Sequence, residues 1–239
     1  YVFVRNRPSE MGLSPITPNR DETQEGIDLF SGMKMVVTSG RFWPPAIWAF
    51  CVIGISFSIG GLWGGPYLMD VYGMTRAQAG TVLSMIAWGM IVGSPPLGFI
   101  SDKVMKSRKK PFILCNLVLV IELAFLSIYP AGLPRIALYI FFFVFSICAS
   151  AVVIFGFTLI KELFPVEIAG TSTGMVNLFP FLGGAIFMPL LGRVLDAYPK
   201  SDAGGYSLEA YTMLILILLG SSVLSLICTF LTKETYQDK

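Results

Sequence analysis

Six separated apolar stretches constrain this chain more than any motif in it. They fall at about 44–67, 79–100, 112–130, 135–159, 171–195 and 209–231. A helix rises about 1.5 Å per residue, so roughly 20 mostly apolar residues cross a hydrocarbon core of about 30 Å. Each stretch therefore predicts a transmembrane helix. Composition agrees, since only 13% of the 239 residues are charged, about half the share a soluble domain needs to cover itself, and mean hydropathy is +0.72. The expected fold is an all-α membrane protein whose first partner is the lipid bilayer.

The boundaries carry helix punctuation. Trp43-Pro44-Pro45 opens the first stretch, Pro111 the third, Pro130 to Pro134 joins the third to the fourth, and ELFPVEIAG separates the fourth from the fifth. Phe42, Trp43, Trp48, Tyr67 and Tyr72 lie near the ends of the first, as an interfacial aromatic belt would. Residues 1–41 differ in kind. They are polar, with Pro8, Pro15, Pro18 and the acids Asp21, Glu22, Glu25 and Asp28, and end in LFSGMKMVV. That reads as a cytoplasmic linker followed by a short amphipathic helix. Residues 42–232 form the bundle and 233–239 a cytoplasmic tail. YVFVRNRPSE is charged within five residues, lacks the apolar core of a secretory signal, and starts with Tyr; the expectation is a fragment of a longer chain.

Charge fixes an expected orientation. Six spans put both termini on one side, which carries thirteen of the seventeen Lys and Arg, including Lys103, Lys106, Arg108, Lys109 and Lys110 in a single loop. The other side has Arg76, Arg135, Arg193 and Lys200. The positive-inside rule makes the termini cytoplasmic, and the basic loop is first of all a topology signal. A net charge of only +2 argues against a nucleic-acid partner. The chain has no His, no phosphate-binding Gly-rich loop and no hydrolase or metalloprotease motif, so no enzyme chemistry, cofactor or metal site is expected. Cys51, Cys115, Cys148 and Cys228 sit singly in apolar runs and read as small buried hydrophobes.

GFISDK and RKK after the second span, with KELFPVEIAGTSTGMVN before the fifth, resemble the major facilitator superfamily of secondary transporters. The loop motif of that superfamily matches Gly98, Asp102 and Lys103, with Arg108, Lys109 and Lys110 behind, and its Glu-x-x-Pro element matches Glu162 and Pro165. Met105 stands where the loop motif has a second Gly. The polar first segment resembles the linker between the two six-helix halves, which makes this chain similar to the C-terminal half. GLWGGPYLMDVYG and EIAGTSTGMVN are most similar to the sugar-phosphate-permease and anion branches. In the phosphate-carrying branch the helix equivalent to the first span bears an Arg; residues 44–67 contain neither Lys nor Arg.

The resemblance implies that Asp102, Lys103, Arg108 and Glu162 are gating charges that link neighbouring helices in one conformational state and release them in the other. Glu122 is the one acid deep inside a span, near the midplane, where a charge costs about 3 kcal/mol. Two readings stand: a proton-coupling carboxyl, or a neutral carboxyl hydrogen-bonded to a neighbouring helix. The second is preferred, because the resemblance puts the third helix outside the pathway. Ser56, Gly60, Trp63 and Tyr67 recur at helical spacing and line one face of the first span, as substrate contacts would. The pairs Gly60/Gly64 and Gly61/Gly65 equally suggest close helix packing there. In the fifth span Thr173, Asn177 and Phe181 share a face interrupted by Pro180 and Pro189, and Asn177 serves either packing or substrate. Trp88 with Ser84 in the second span, and Ser146 with Tyr139 and Ser150 in the fourth, complete the candidates.

The expected function is the C-terminal half of a secondary active transporter in a bacterial inner membrane. It would move a small, organic or anionic solute by alternating access, with an N-terminal six-helix half as partner. The alternatives are a six-span protein that completes its site as a homodimer, a transporter-like ligand sensor, and a membrane scaffold.

Overall fold

The computed structural model describes residues 28–151, 155–201 and 204–236. These are helical apart from short turns and one isolated bridge between Lys200 and Tyr206. A short helix α1 (Leu29–Thr38) precedes the first span, which runs through α2 (Trp43–Ser56), a π-helical stretch Phe57–Trp63, and α3 (Gly64–Tyr72). Then follow α4 (Arg76–Phe99), extended in π geometry by Ile100–Met105, α5 (Lys109–Ile128), α6 (Arg135–Ala151), α7 (Phe157–Leu163), α8 (Ala169–Asp196) and α9 (Leu208–Leu231). Five of these spans are long and apolar enough to cross a membrane; α6, at 17 residues, is a shorter apolar helix with α7 following it.

Local chemistry explains the ends. Pro44 and Pro45 occupy the first turn of α2, where their missing N–H groups cost nothing. Thr75 and Gln78 close a capping box on α4, each side chain bonded to the other's backbone N–H. Ser207 caps α9 by accepting from Ala210 N–H. Gly73 ends α3 at φ 63°. The turn after the Asp102 segment is made at Lys106, a non-glycine residue at φ 45°, so the Gly that the loop motif would place at Met105 is not what makes it. Pro66 has no N–H for the carbonyl four residues back, and the helix just before it is the widened stretch Phe57–Trp63. Contrary to expectation, Pro180 and Pro189 do not interrupt the fifth span: α8 is continuous through both, as membrane helices allow when neighbours or local adjustments absorb the lost bond.

The spans pack α4 on α6, α6 on α5, α5 on α9, α9 on α2 and α2 on α8, with α8 also meeting α9, α3 meeting α4 and α2 touching α6. In lipid no hydrophobic drive favours helix against helix, so close approach and interhelical hydrogen bonds must hold the bundle. Both are present. A Cβ on Gly183 of α8 would stand 2.2 Å from the Phe50 carbonyl of α2, and one on Gly89 of α4 would stand 2.4 Å from the Phe143 carbonyl of α6. Ser225 of α9 donates to Asn116 of α5 at 2.7 Å, both buried. The expected pairs Gly60/Gly64 and Gly61/Gly65 meet side chains, or, at Gly64, a carbonyl of their own span. Of the expected aromatic belt, Trp43 is exposed and Tyr72 half-buried, whereas Phe42, Trp48 and Tyr67 are buried, Tyr67 among other tyrosines and Phe42 in a small core with Val36 and Ala46. All four cysteines are free and buried.

Candidate functional site

Asp102 lies in the helical extension of α4, not in a loop, and this extension aims it at the first residues of α5. Arg108, which precedes α5, bonds the Asp102 carboxylate through Nη1 and also donates to Ser101 Oγ at 3.1 Å. Its Nε stands 3.7 Å from Glu162 Oε1 at the end of α7. That gap is an ion pair rather than a hydrogen bond, and Nε has no hydrogen-bond partner among the described residues. Three of the four expected gating charges therefore meet around one guanidinium; Lys103 is exposed and stands apart. The Arg108 side chain is only 19% exposed and Glu162 33%, drier than the surface pairs worth at most about 1 kcal/mol.

The chain's last described residues complete this cluster. Glu234 accepts from Arg108 N–H at 3.0 Å, from Lys109 N–H at 3.3 Å and from the Ser107 hydroxyl. These are the unpaired donors of the α5 N-terminus, where the helix dipole favours a carboxylate. Burial by itself would raise the Glu234 carboxyl, but the Ser107 hydroxyl and the N–H groups of Tyr236, Arg108 and Lys109 together hold it below its usual range. The Thr235 hydroxyl donates to Glu162, the Tyr236 hydroxyl donates to the Asp102 carbonyl at 3.3 Å, and Arg108 lies 5.7 Å over the Tyr236 ring. Lys109 Nζ donates to Phe230 O at the end of α9. Residues 233–236, read in sequence as tail, are thus docked on the cluster; residues 237–239 and 1–27 of the expected tail and linker lie outside the described residues. Sequence reasoning missed Ser107 and Glu234. The signal was an acid three residues past the last span, but nothing in sequence ties it to a loop more than 120 residues earlier.

At the opposite end Asp70 of α3 holds the loop between α8 and α9. Its Oδ2 accepts from Tyr206 N–H at 3.0 Å and from the Tyr211 hydroxyl at 2.8 Å. The Tyr67 and Tyr72 hydroxyls both donate to the Pro130 carbonyl. Each end of the bundle is therefore cross-tied by polar bonds.

Of the expected substrate contacts, Trp63 and Tyr67 line a common apolar cavity with Ile59, Phe141 and Tyr211, and Ser56, Trp88, Ser146 and Asn177 are not among its lining residues. Ser56 donates back to Val52 O of its own helix. Trp63 donates to Met188 O at 3.1 Å, and its ring lies against Gly192. Tyr67 is buried in a tyrosine cluster with Tyr72 and Tyr211. Ser146 joins α6 to α4 through Ile86 O. Trp88 on α4 and Asn177 on α8 are exposed on the bundle surface. Glu122 sits on α5 three residues after buried Leu119 and four before buried Leu126, and its buried Oε2 has no hydrogen-bond partner among the described residues.

Comparison with known proteins places this architecture. At 27% identity the chain is similar to the membrane sensor protein UhpC of Escherichia coli (strain K12), covering 98% of this chain and 53% of that protein. It is 24% identical to the glycerol-3-phosphate transporter of Bacillus subtilis (strain 168), with 98% and 52% covered. It is 23% identical to the probable galactarate/D-glucarate transporter GudP of Pseudomonas putida, with 81% and 42% covered. The chain spans about half the length of the curated relatives it matches. Its fold is similar to that of a bacterial homologue of the human lysosomal transporter Spinster, solved inward-facing and unoccupied, at TM-score 0.61 and 14% identity, covering 90% of this chain and 52% of that one. The sequence profile of the Major Facilitator Superfamily matches residues 2–188 and 50–237. The chain is an integral membrane protein and belongs to the Major Facilitator Superfamily.

Proposed function

We propose that this chain is the C-terminal six-helix half of a secondary transporter that carries a small organic anion by alternating access. The observation that carries the reading is the Arg108 cluster. One guanidinium joins the ends of α4, α5 and α7 and the segment after α9, at a single end of the bundle. A half cross-tied in this way moves as one body, which rocking of one half against another requires. The first 41 residues form the linker to the partner half. The faces of α4 and α8 that carry Trp88 and Asn177 meet that half, and the solute binds between them near the midplane. Two of the relatives named above carry anions by their names. The first span has no Lys or Arg, so the partner half supplies the cation that pairs with the anion.

The test uses the full-length protein. Uptake is screened over phosphate esters, sugar acids and neutral sugars. Asp102→Asn is then compared with wild type on the best substrate. The expected result is turnover reduced about tenfold or more with KM within about twofold, because a conformational equilibrium is altered away from the binding site. A change in KM alone would sink the gating role.

A second reading has one specific observation in its favour: the relative from Escherichia coli is a membrane sensor by name. Under it the same bundle binds ligand without moving it. Saturable binding with no accumulation above the empty-vesicle background selects the sensor.

A further inference from the structure

We infer that α1 is an in-plane anchor that docks the basic end of this bundle onto an anionic phospholipid surface. The inference is independent of whether the protein transports or senses.

Two contacts fix the depth of α1. At its C-terminal end the Val37 carbonyl accepts from Trp43 Nε1 at 3.0 Å, and Trp43 is the first residue of the first span. Toward its N-terminal end Gly32 lies against Ile168 and Thr171, where α8 begins; a Cβ there would stand 3.4 Å from Ile168. Val36 is fully buried in a satellite core with Phe42, Ala46, Ile160, Ile168 and Val176. Both ends of α1 are therefore held level with the points at which two spans leave the hydrocarbon. The helix cannot project into water; it lies across the bundle end.

With 3.6 residues per turn, the surface of α1 divides into sectors. Gly32 and Val36 form the docked edge. Beside it run Leu29, Met33 and Val37, at spacings of four, with Phe30 flanking them. All four are exposed, Phe30 at 78%. The next sector is polar: Ser31, Lys34 and Thr38, all exposed, followed past the helix by exposed Arg41. Met35 is also exposed, on the far side of the polar sector. An apolar sector between a protein-docked edge and a cationic one, at the depth of the span ends, matches a helix sunk into the headgroup and upper-acyl boundary. Lys34 and Arg41 then reach lipid phosphates, an attraction of about fivefold per charge on an anionic surface. Trp43, 41% exposed, sits at the same level, where its amphipathic ring is favoured.

The experiment uses the whole protein reconstituted into vesicles, with one introduced cysteine carrying an environment-sensitive fluorophore; the four native cysteines are buried, and the unlabelled parent gives the background. Phe30→Cys, Met33→Cys and Lys34→Cys are compared in phosphatidylcholine alone and with about one third phosphatidylglycerol. Nitroxide lipids quench from the upper acyl region and iodide quenches from water. We expect nitroxide quenching at positions 30 and 33 at least threefold above that at 34, and increasing with phosphatidylglycerol. Adding Lys34→Gln and Arg41→Gln to the position-30 reporter should abolish that increase. Iodide quenching position 30 as strongly as 34 overturns the inference, since the sector then faces water. So does shielding of position 30 from both quenchers, which means that protein covers it. Equal nitroxide quenching with and without phosphatidylglycerol overturns the recognition of anionic lipid.

Discussion

Glu122 and Glu234 show how differently two acids of one chain are handled. Glu122 has a buried oxygen without a partner among the described residues, and α5 packs mainly on α9 and α6, touching α2 where Phe112 meets Trp48. On the reading that Glu122 is a neutral carboxyl, an amide replaces it with little change, and Glu122→Gln in the full-length protein should leave any proton-driven accumulation within about twofold of wild type. Collapse of accumulation with exchange intact would assign the coupling proton to Glu122. Glu234 has five donors around it and a carboxyl held below the usual range. A depressed carboxyl stabilises the state in which it is docked once pH exceeds its undocked value, and that contribution disappears as pH falls through the docked value. Docking of residues 233–236 should therefore be constant from about pH 8 to 5 and weaken only below the ordinary Glu range near 4.3. Protease protection of the C-terminal segment across pH measures this, and Glu234→Gln should lose protection at every pH.

At the scale of the element, the α2–α8 crossing rests on a close backbone approach. Gly183 lets the Phe50 carbonyl lie where a side chain would begin, while Phe187 of α8 fills the notch at Gly54 of α2. Gly183→Ala must push the two spans apart, and overpacking of this kind costs about 1–3 kcal/mol. Gly170→Ala, near the start of the same helix with nothing within 4 Å of its Cβ, should be neutral or slightly stabilising, since Ala favours helix over Gly by up to about 1 kcal/mol. Thermal unfolding of the two variants in one detergent separates packing from propensity. If both lose the same stability, the close approach is not what holds the crossing. A polar counterpart lies between α5 and α9, where Asn116→Leu would break the bond from Ser225 at about 1 kcal/mol.

For the whole molecule the charge asymmetry predicts that the Arg108 end is cytoplasmic. Ser107 makes a poor reporter of this because it is buried against Glu234; Lys103 and Pro199 are exposed at opposite ends. In intact cells an impermeant thiol reagent should label Pro199→Cys and spare Lys103→Cys; the reverse pattern inverts the topology. The helical character, five of the six expected spans and this asymmetry were legible in sequence because each is a one-dimensional property: length of apolar run, position of Pro and capping residues, side of each Lys and Arg; the expected fourth span is instead the shorter α6 with α7 after it. Asp102, Arg108 and Glu162 were legible as well, because a family pattern fixes them at set distances along the chain. Partnerships between distant residues were not. Ser56, Trp63 and Tyr67 read as one face by spacing and Ser146 as a further candidate, yet their polar atoms are taken up separately, by their own helix, by α8, by the Pro130 turn and by α4. Glu234 read as tail until α9 brought it to the start of α5. Periodicity tells which side chains share a helix face; which neighbour that face meets depends on how six helices close around one another, and only the tertiary structure decides it.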